Sequence, residues 1–185
     1  MNFKRVIRLV FIGLILLLHG CFIAAIIFEK FNSPFIASLF ILFSIGVLVT
    51  YAKAPLHHDH HLYEEMKVAI WVPLAALITY FLNVKLQLGA VLSAALVGTL
   101  ASYVPNINKK STLLSQLPTA IYCGAFVGMS SGNVAFSWLF VFAAGCFTGV
   151  FIIVSKSLFA GVGGKLGTLA FAGVTLTSLL LFLFF

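Results

Sequence analysis

Seven long apolar runs follow one another along this chain, and none contains an Asp or a Glu. They cover residues 9–28, 34–51, 68–82, 88–104, 113–129, 134–154 and 166–185. A helix needs roughly 20 mostly apolar residues to cross the hydrocarbon core of a bilayer, within a range of about 17–25. The third and fifth runs are short, which implies a tilted helix, a partly re-entrant one, or extension into the flanking residues. A membrane β-barrel would instead alternate apolar and polar residues over ~10-residue stretches. Continuous apolar runs exclude that pattern.

Composition supports the same conclusion. The chain is 62% hydrophobic and 8% charged, whereas soluble domains average about 45–50% apolar and about 25% charged. Four acids and eleven bases cannot cover the surface of a soluble domain of this length. A soluble enzyme, a secreted disulfide scaffold and a disordered chain are all excluded. The expected fold is all-α: a polytopic transmembrane bundle of six or seven spans forming a single integral membrane domain over residues 1–185.

The bases set the expected orientation. Lys4, Arg5, Arg8, Lys53, Lys67, Lys109, Lys110, Lys156 and Lys165 fall on one side of such a bundle, and Lys30 and Lys85 on the other. By the positive-inside rule the N-terminus is cytoplasmic. An odd number of spans then places Phe185 outside, and six spans place it inside. The formal charge of +7 does not point to nucleic acid, because the bases are scattered along span edges with no basic face. The lipid bilayer is the expected partner, with lysines meeting anionic head groups.

Two features of the first run have ordinary explanations. Leu18-His19-Gly20-Cys21 loosely resembles a lipoprotein cleavage box, but Phe22–Phe28 continues the apolar run where a processed lipoprotein carries a polar tether. Cys21, Cys123 and Cys146 lie in three different runs without metal-type spacing, so they read as small apolar residues. Among the prolines, Pro34, Pro105 and Pro118 fall near run ends, whereas Pro73 lies inside the third run and is placed to kink it.

Small residues give the packing signal. Ala90, Ala94, Gly98 and Ser102 recur every fourth residue in the fourth run; Ala120, Gly124 and Gly128 do so in the fifth, and Gly145 and Gly149 in the sixth. Such stripes let helix backbones approach closely in lipid. They predict a packed centre formed by the fourth to sixth runs, with the first two facing lipid.

Four polar constellations could carry chemistry. His57, His58, Asp59, His60 and His61, with Glu64 and Glu65 after them, form a cytoplasmic loop of imidazoles and carboxylates. Those groups suit a divalent metal such as Zn or Ni. His57, Asp59 and His61, with Glu64 or Glu65, are a workable subset, and a solvated, pH-sensitive loop is the plainer alternative. Next, Gln116, Thr119 and Tyr122 open the fifth run, and Ser130, Ser131 and Asn133 follow it. Hydroxyl, amide and backbone carbonyl groups near Gly-rich helix breaks can coordinate ions or polar solutes, although a short turn accounts for the second group equally well. Third, Asn83 and Gln87 flank the preceding turn.

Fourth, Gly161–Thr168 glances at a phosphate-binding loop. The pattern fails because Phe159 stands where the first glycine belongs and Leu166 follows Lys165. Gly163, Gly164 and Lys165 therefore read as a hinge at the cytoplasmic edge. No carboxylate lies in a span and His19 is the one histidine in one, so buried acid–base machinery of the kind proton-driven transporters use is not expected. No HExxH or GxSxG motif occurs, and catalysis is not expected.

These readings converge on a permease or channel-like protein for a small solute or ion, resident in a bacterial inner (plasma) membrane. Tyr122, Gly124, Gly128, Ser130, Ser131, Asn133, Gly163, Gly164 and Lys165 are its candidate pathway or hinge residues. The loop at His57–His61 would bind metal or sense pH. The chain is short for a complete pathway, which favours a homo-oligomer or a membrane hetero-complex. A non-transporting scaffold that anchors a partner complex is the alternative.

Overall fold

The computed structural model describes residues 3–29, 65–155 and 164–184, with single helical positions at 35, 38, 39, 41, 42, 45, 46 and 49. Every regular element among the described residues is helical, with no strand. Four helices are long and apolar enough to cross a membrane: Leu9–Phe28, Met66–Lys85, Trp138–Ser155 and Lys165–Phe184. The chain forms two compact units, Met1–Leu62 with Ser157–Val162, and Tyr63–Lys156 with Gly163–Phe185.

In the first unit, α1 spans Phe3–Glu29 and runs unbroken through Leu18–Cys21. Phe11, Ile15 and Leu18 are buried at four- and three-residue spacing, one stripe of a helix. Leu9, Val10, Leu17, Phe22 and Phe28 are exposed. An apolar helix with so narrow a buried stripe suits a lipid-facing position, as the Leu-, Ile- and Phe-rich sequence predicts.

The second unit begins with two coaxial pieces, α2 (Met66–Ala69) and α3 (Trp71–Tyr80). They part at Ile70 because Pro73 has no N–H to give the Ala69 carbonyl one turn back. A π turn, Phe81–Lys85, continues α3. The third apolar run is thus lengthened at both ends into a rod of 20 residues. Gln87 and Gly89, both at positive φ, reverse the chain into α4 (Ala90–Tyr103), which tightens into a 3₁₀ turn at Val104–Asn106.

The Ser111 hydroxyl accepts the Leu114 N–H and caps the start of α5, Thr112–Gly128. Pro118 lies inside α5, deeper than the run-end position expected for it. The Ser137 hydroxyl caps α6, Trp138–Ser155, in the same way through the Phe140 N–H. Gly164, at φ +82, precedes α7, Lys165–Phe184.

Glycine contacts define how these helices run. A Cβ on Gly124 would meet the Val72 carbonyl and the Ala75 side chain, and one on Gly128 would meet Ala76, Thr79 and Tyr80. Contacts advance together along both helices, so α3 and α5 are parallel. Gly145 faces Pro73 and Gly149 faces Ala69, so α6 runs antiparallel to the α2–α3 rod. Gly149 leaves room at the Ala69 carbonyl that Pro73 cannot satisfy. Gly173 sits against Ala144 and Thr148, while the Lys165 ammonium donates to the Ser155 carbonyl, which makes α7 antiparallel to α6.

The packed centre is therefore the α3–α5 pair flanked by α6, rather than the fourth-to-sixth block that the stripes predict. Stripes show where a backbone can be approached but not by what. The third run supplies the missing half through Val72, Ala75, Ala76 and Thr79, all buried. In α4 the buried face is Ser93, Val97, Gly98 and Ala101, while Ser102 of the predicted stripe is exposed. One end of this unit, where α2, α5 and α7 begin, carries Lys67, Lys109, Lys110 and Lys165; Lys85 stands at the other.

Candidate functional site

The end of the unit that bears Lys85 holds the polar junction. Thr79 is fully buried in the last turn of α3, and its hydroxyl has no hydrogen-bond partner. Its Cβ lies 2.6 Å from where a Cβ on Gly128 would stand, so the side chain abuts the carboxyl end of α5. One turn on, in the π segment, Asn83 donates from Nδ2 to the carbonyls of Gly128 and Ser130, at 3.3 and 3.4 Å. Residues four apart share a helix face, which brings Thr79 and Asn83 to the same end of α5. The π turn ends the rod, as π turns do at helix C-termini.

Most of the sequence-predicted pathway residues turn out to have structural employment. Gly124 and Gly128 are closed against the backbone of α3. The Tyr122 ring covers Gly98 of α4. The Ser130 hydroxyl bonds back to the Val127 carbonyl at 2.8 Å, and its own carbonyl joins the junction. Ser131 accepts from the N–H groups of Val134 and Ala135 in an exposed turn that includes Asn133. Ser130 is thus the member of that turn group whose carbonyl meets Asn83.

At the opposite end, the Gly164 carbonyl accepts the Thr168 N–H at 2.9 Å, opening α7. Lys165 places its ammonium on a carbonyl in the last turn of α6, where a helix end attracts positive charge. The two residues join helix ends there, and Gly163 lies outside the described residues. Cys123 is buried and donates from Sγ to the Leu166 carbonyl at 3.3 Å, tying α5 to α7.

His57, His58, Asp59, His60, His61 and Glu64 lie outside the described residues. Glu65 is exposed and its carbonyl accepts from Val68 and Ala69 at the start of α2. Among the described residues no three His, Cys, Asp or Glu side chains gather as a metal group.

Thr79 is the residue that sequence reasoning missed. The available signal was its spacing: a hydroxyl four residues before Asn83, on the face that carries Ala75 and Ala76. No protein-family model, curated protein or solved structure matches the chain, so its geometry alone carries the functional reading.

Proposed function

We propose that the chain is an integral membrane protein that moves a small polar solute or ion across the bilayer, with the junction at Thr79, Asn83, Gly128 and Ser130 on its path. One observation carries this reading: a fully buried hydroxyl without a partner, in a bundle otherwise sealed by small residues. Such a group costs about 1–3 kcal/mol when nothing satisfies it. A purely structural bundle gains nothing by keeping it, whereas a bound polar ligand repays the cost. Backbone carbonyls at a helix end and a carboxamide supply the remaining donors without any titrating carboxylate.

The lysine-rich end is assigned to the cytoplasm on the positive-inside rule, as is the N-terminus. Six or seven spans in a bacterial inner membrane, assembled with further copies or other subunits, complete the proposal. The loop at His57–His61 is proposed to hold Zn²⁺ or Ni²⁺ on the cytoplasmic side. Calorimetry with Zn²⁺ should show binding by the full protein and its loss when those four histidines become Ala; equal affinities would remove the loop from the mechanism.

Flux into proteoliposomes tests transport directly. The reconstituted protein should move at least one member of a panel of alkali cations, small anions and neutral polyols faster than protein-free liposomes. Silence across the panel, combined with partner capture that is lost when residues 52–67 are replaced, would favour the scaffold instead.

A further inference from the structure

We propose that the α3–α5 junction binds a sodium ion. Its ligands are the Thr79 hydroxyl, the Asn83 carboxamide oxygen and the carbonyls of Gly128 and Ser130. No Asp or Glu occurs between Met66 and Phe185, so the site offers only neutral oxygens. A divalent ion is held by carboxylates, and an anion would need N–H or cationic donors; a neutral oxygen set suits a singly charged cation. Both carbonyls lie at the carboxyl end of α5, whose aligned peptide dipoles favour positive charge. Helix ends of this kind coordinate Na⁺ in membrane transporters.

Size follows from spacing. The Asn83 nitrogen stands 3.3 and 3.4 Å from the two carbonyl oxygens, at the long end for hydrogen bonds. A half-turn of the carboxamide puts Oδ1 where Nδ2 was, about that far from each of the two carbonyl oxygens. Oxygens octahedrally arranged about an ion at ~2.4 Å, within the range for a calcium-sized cation, are separated by ~3.4 Å. Sodium has that size, while the larger potassium needs wider spacing. Thr79 supplies the fourth ligand from a side chain that is fully buried, touches Gly128 and has no other bond.

The inference names the ion for the transport reading and rests on it for purpose, but binding can be read without transport. The protein in lipid nanodiscs should unfold at a higher temperature in NaCl than in choline chloride at equal ionic strength. The rise should grow with the logarithm of Na⁺ concentration above Kd, reaching about 5–10 °C at a hundredfold excess, with a smaller effect in KCl. Thr79→Val should abolish the Na⁺ shift and, with the unpartnered hydroxyl gone, hold or raise the midpoint in choline, and Thr79→Ser should keep the shift. Asn83→Asp, which adds a carboxylate, should gain a Ca²⁺-dependent rise. Equal wild-type midpoints in NaCl and choline, or a Na⁺ shift that survives Thr79→Val, would overturn the site. A Na⁺ shift in a protein without flux would sustain the site and sink transport; flux without the shift would do the reverse.

Discussion

The glycines of α1 and those of α5 are the same residue in two helices, the first the more apolar, yet their described surroundings are opposite. No described residue comes within 4 Å of a Cβ placed on Gly13 or Gly20. On Gly124 and Gly128 the same atom would collide with the backbone of α3. The spans differ likewise: 17% of an 18-residue apolar window within Leu9–Phe28 is buried, against 44% of one within Met66–Lys85. In lipid there is no hydrophobic drive between helices, so association depends on close fit. A glycine shows that close fit is allowed; only a partner with a matching small face turns it into stability.

Substitution can break that contrast, most severely at Gly124. Its Cβ would meet backbone atoms and Ala75, none of which can rotate away. Gly124→Ala should therefore cost at least the 1–3 kcal/mol typical of overpacking, read as a lowered unfolding midpoint in detergent or nanodiscs. The buried Cys123 thiol beside it should become labelled by maleimide as the seam opens. A midpoint unchanged by Gly124→Ala would disprove the α3–α5 contact.

Gly149→Ala should have a smaller effect, about 1 kcal/mol or less, because the nearest atom is the Ala69 carbonyl at 3.1 Å and a slight shift accommodates it. Smallest of all, Gly13→Ala should be neutral or stabilise by about 0.5–1 kcal/mol, the gain from removing a glycine inside a helix. A strong loss at Gly13 would show that α1 has a close neighbour after all and would erase the comparison.

Much of the helical layout was legible in the sequence because a 20-residue apolar run leaves the backbone few alternatives in lipid. The stripe on α5 was legible too, since Gly124 and Gly128 repeat at helical spacing. Its partner was not. Pro73 made the third run look short and kinked, although the rod continues on both sides of it. Nothing in the pattern around Phe81–Lys85 announces a π turn, and a single Thr79 in an apolar run reads as an ordinary helix residue. Its significance comes from burial without a partner where α3 meets α5, rather than from any local pattern. Lys165 shows the converse: glycines beside it suggest motion, while the structure employs it at the end of α6.

These distinctions move the decisive substitution away from the glycines. Enlarging Gly124 or Gly128 disrupts the fold, so lost flux there would not separate a pathway from a seam. Thr79→Val keeps the shape and removes only the hydroxyl. The measurement that bears most directly on the junction is therefore flux through wild-type and Thr79→Val protein in matched proteoliposomes, each checked for insertion and unfolding midpoint. The junction as a polar path predicts flux in the wild type and at least a tenfold loss in the variant, whose midpoint in choline is no lower than the wild type's. Equal flux in the two would contradict it.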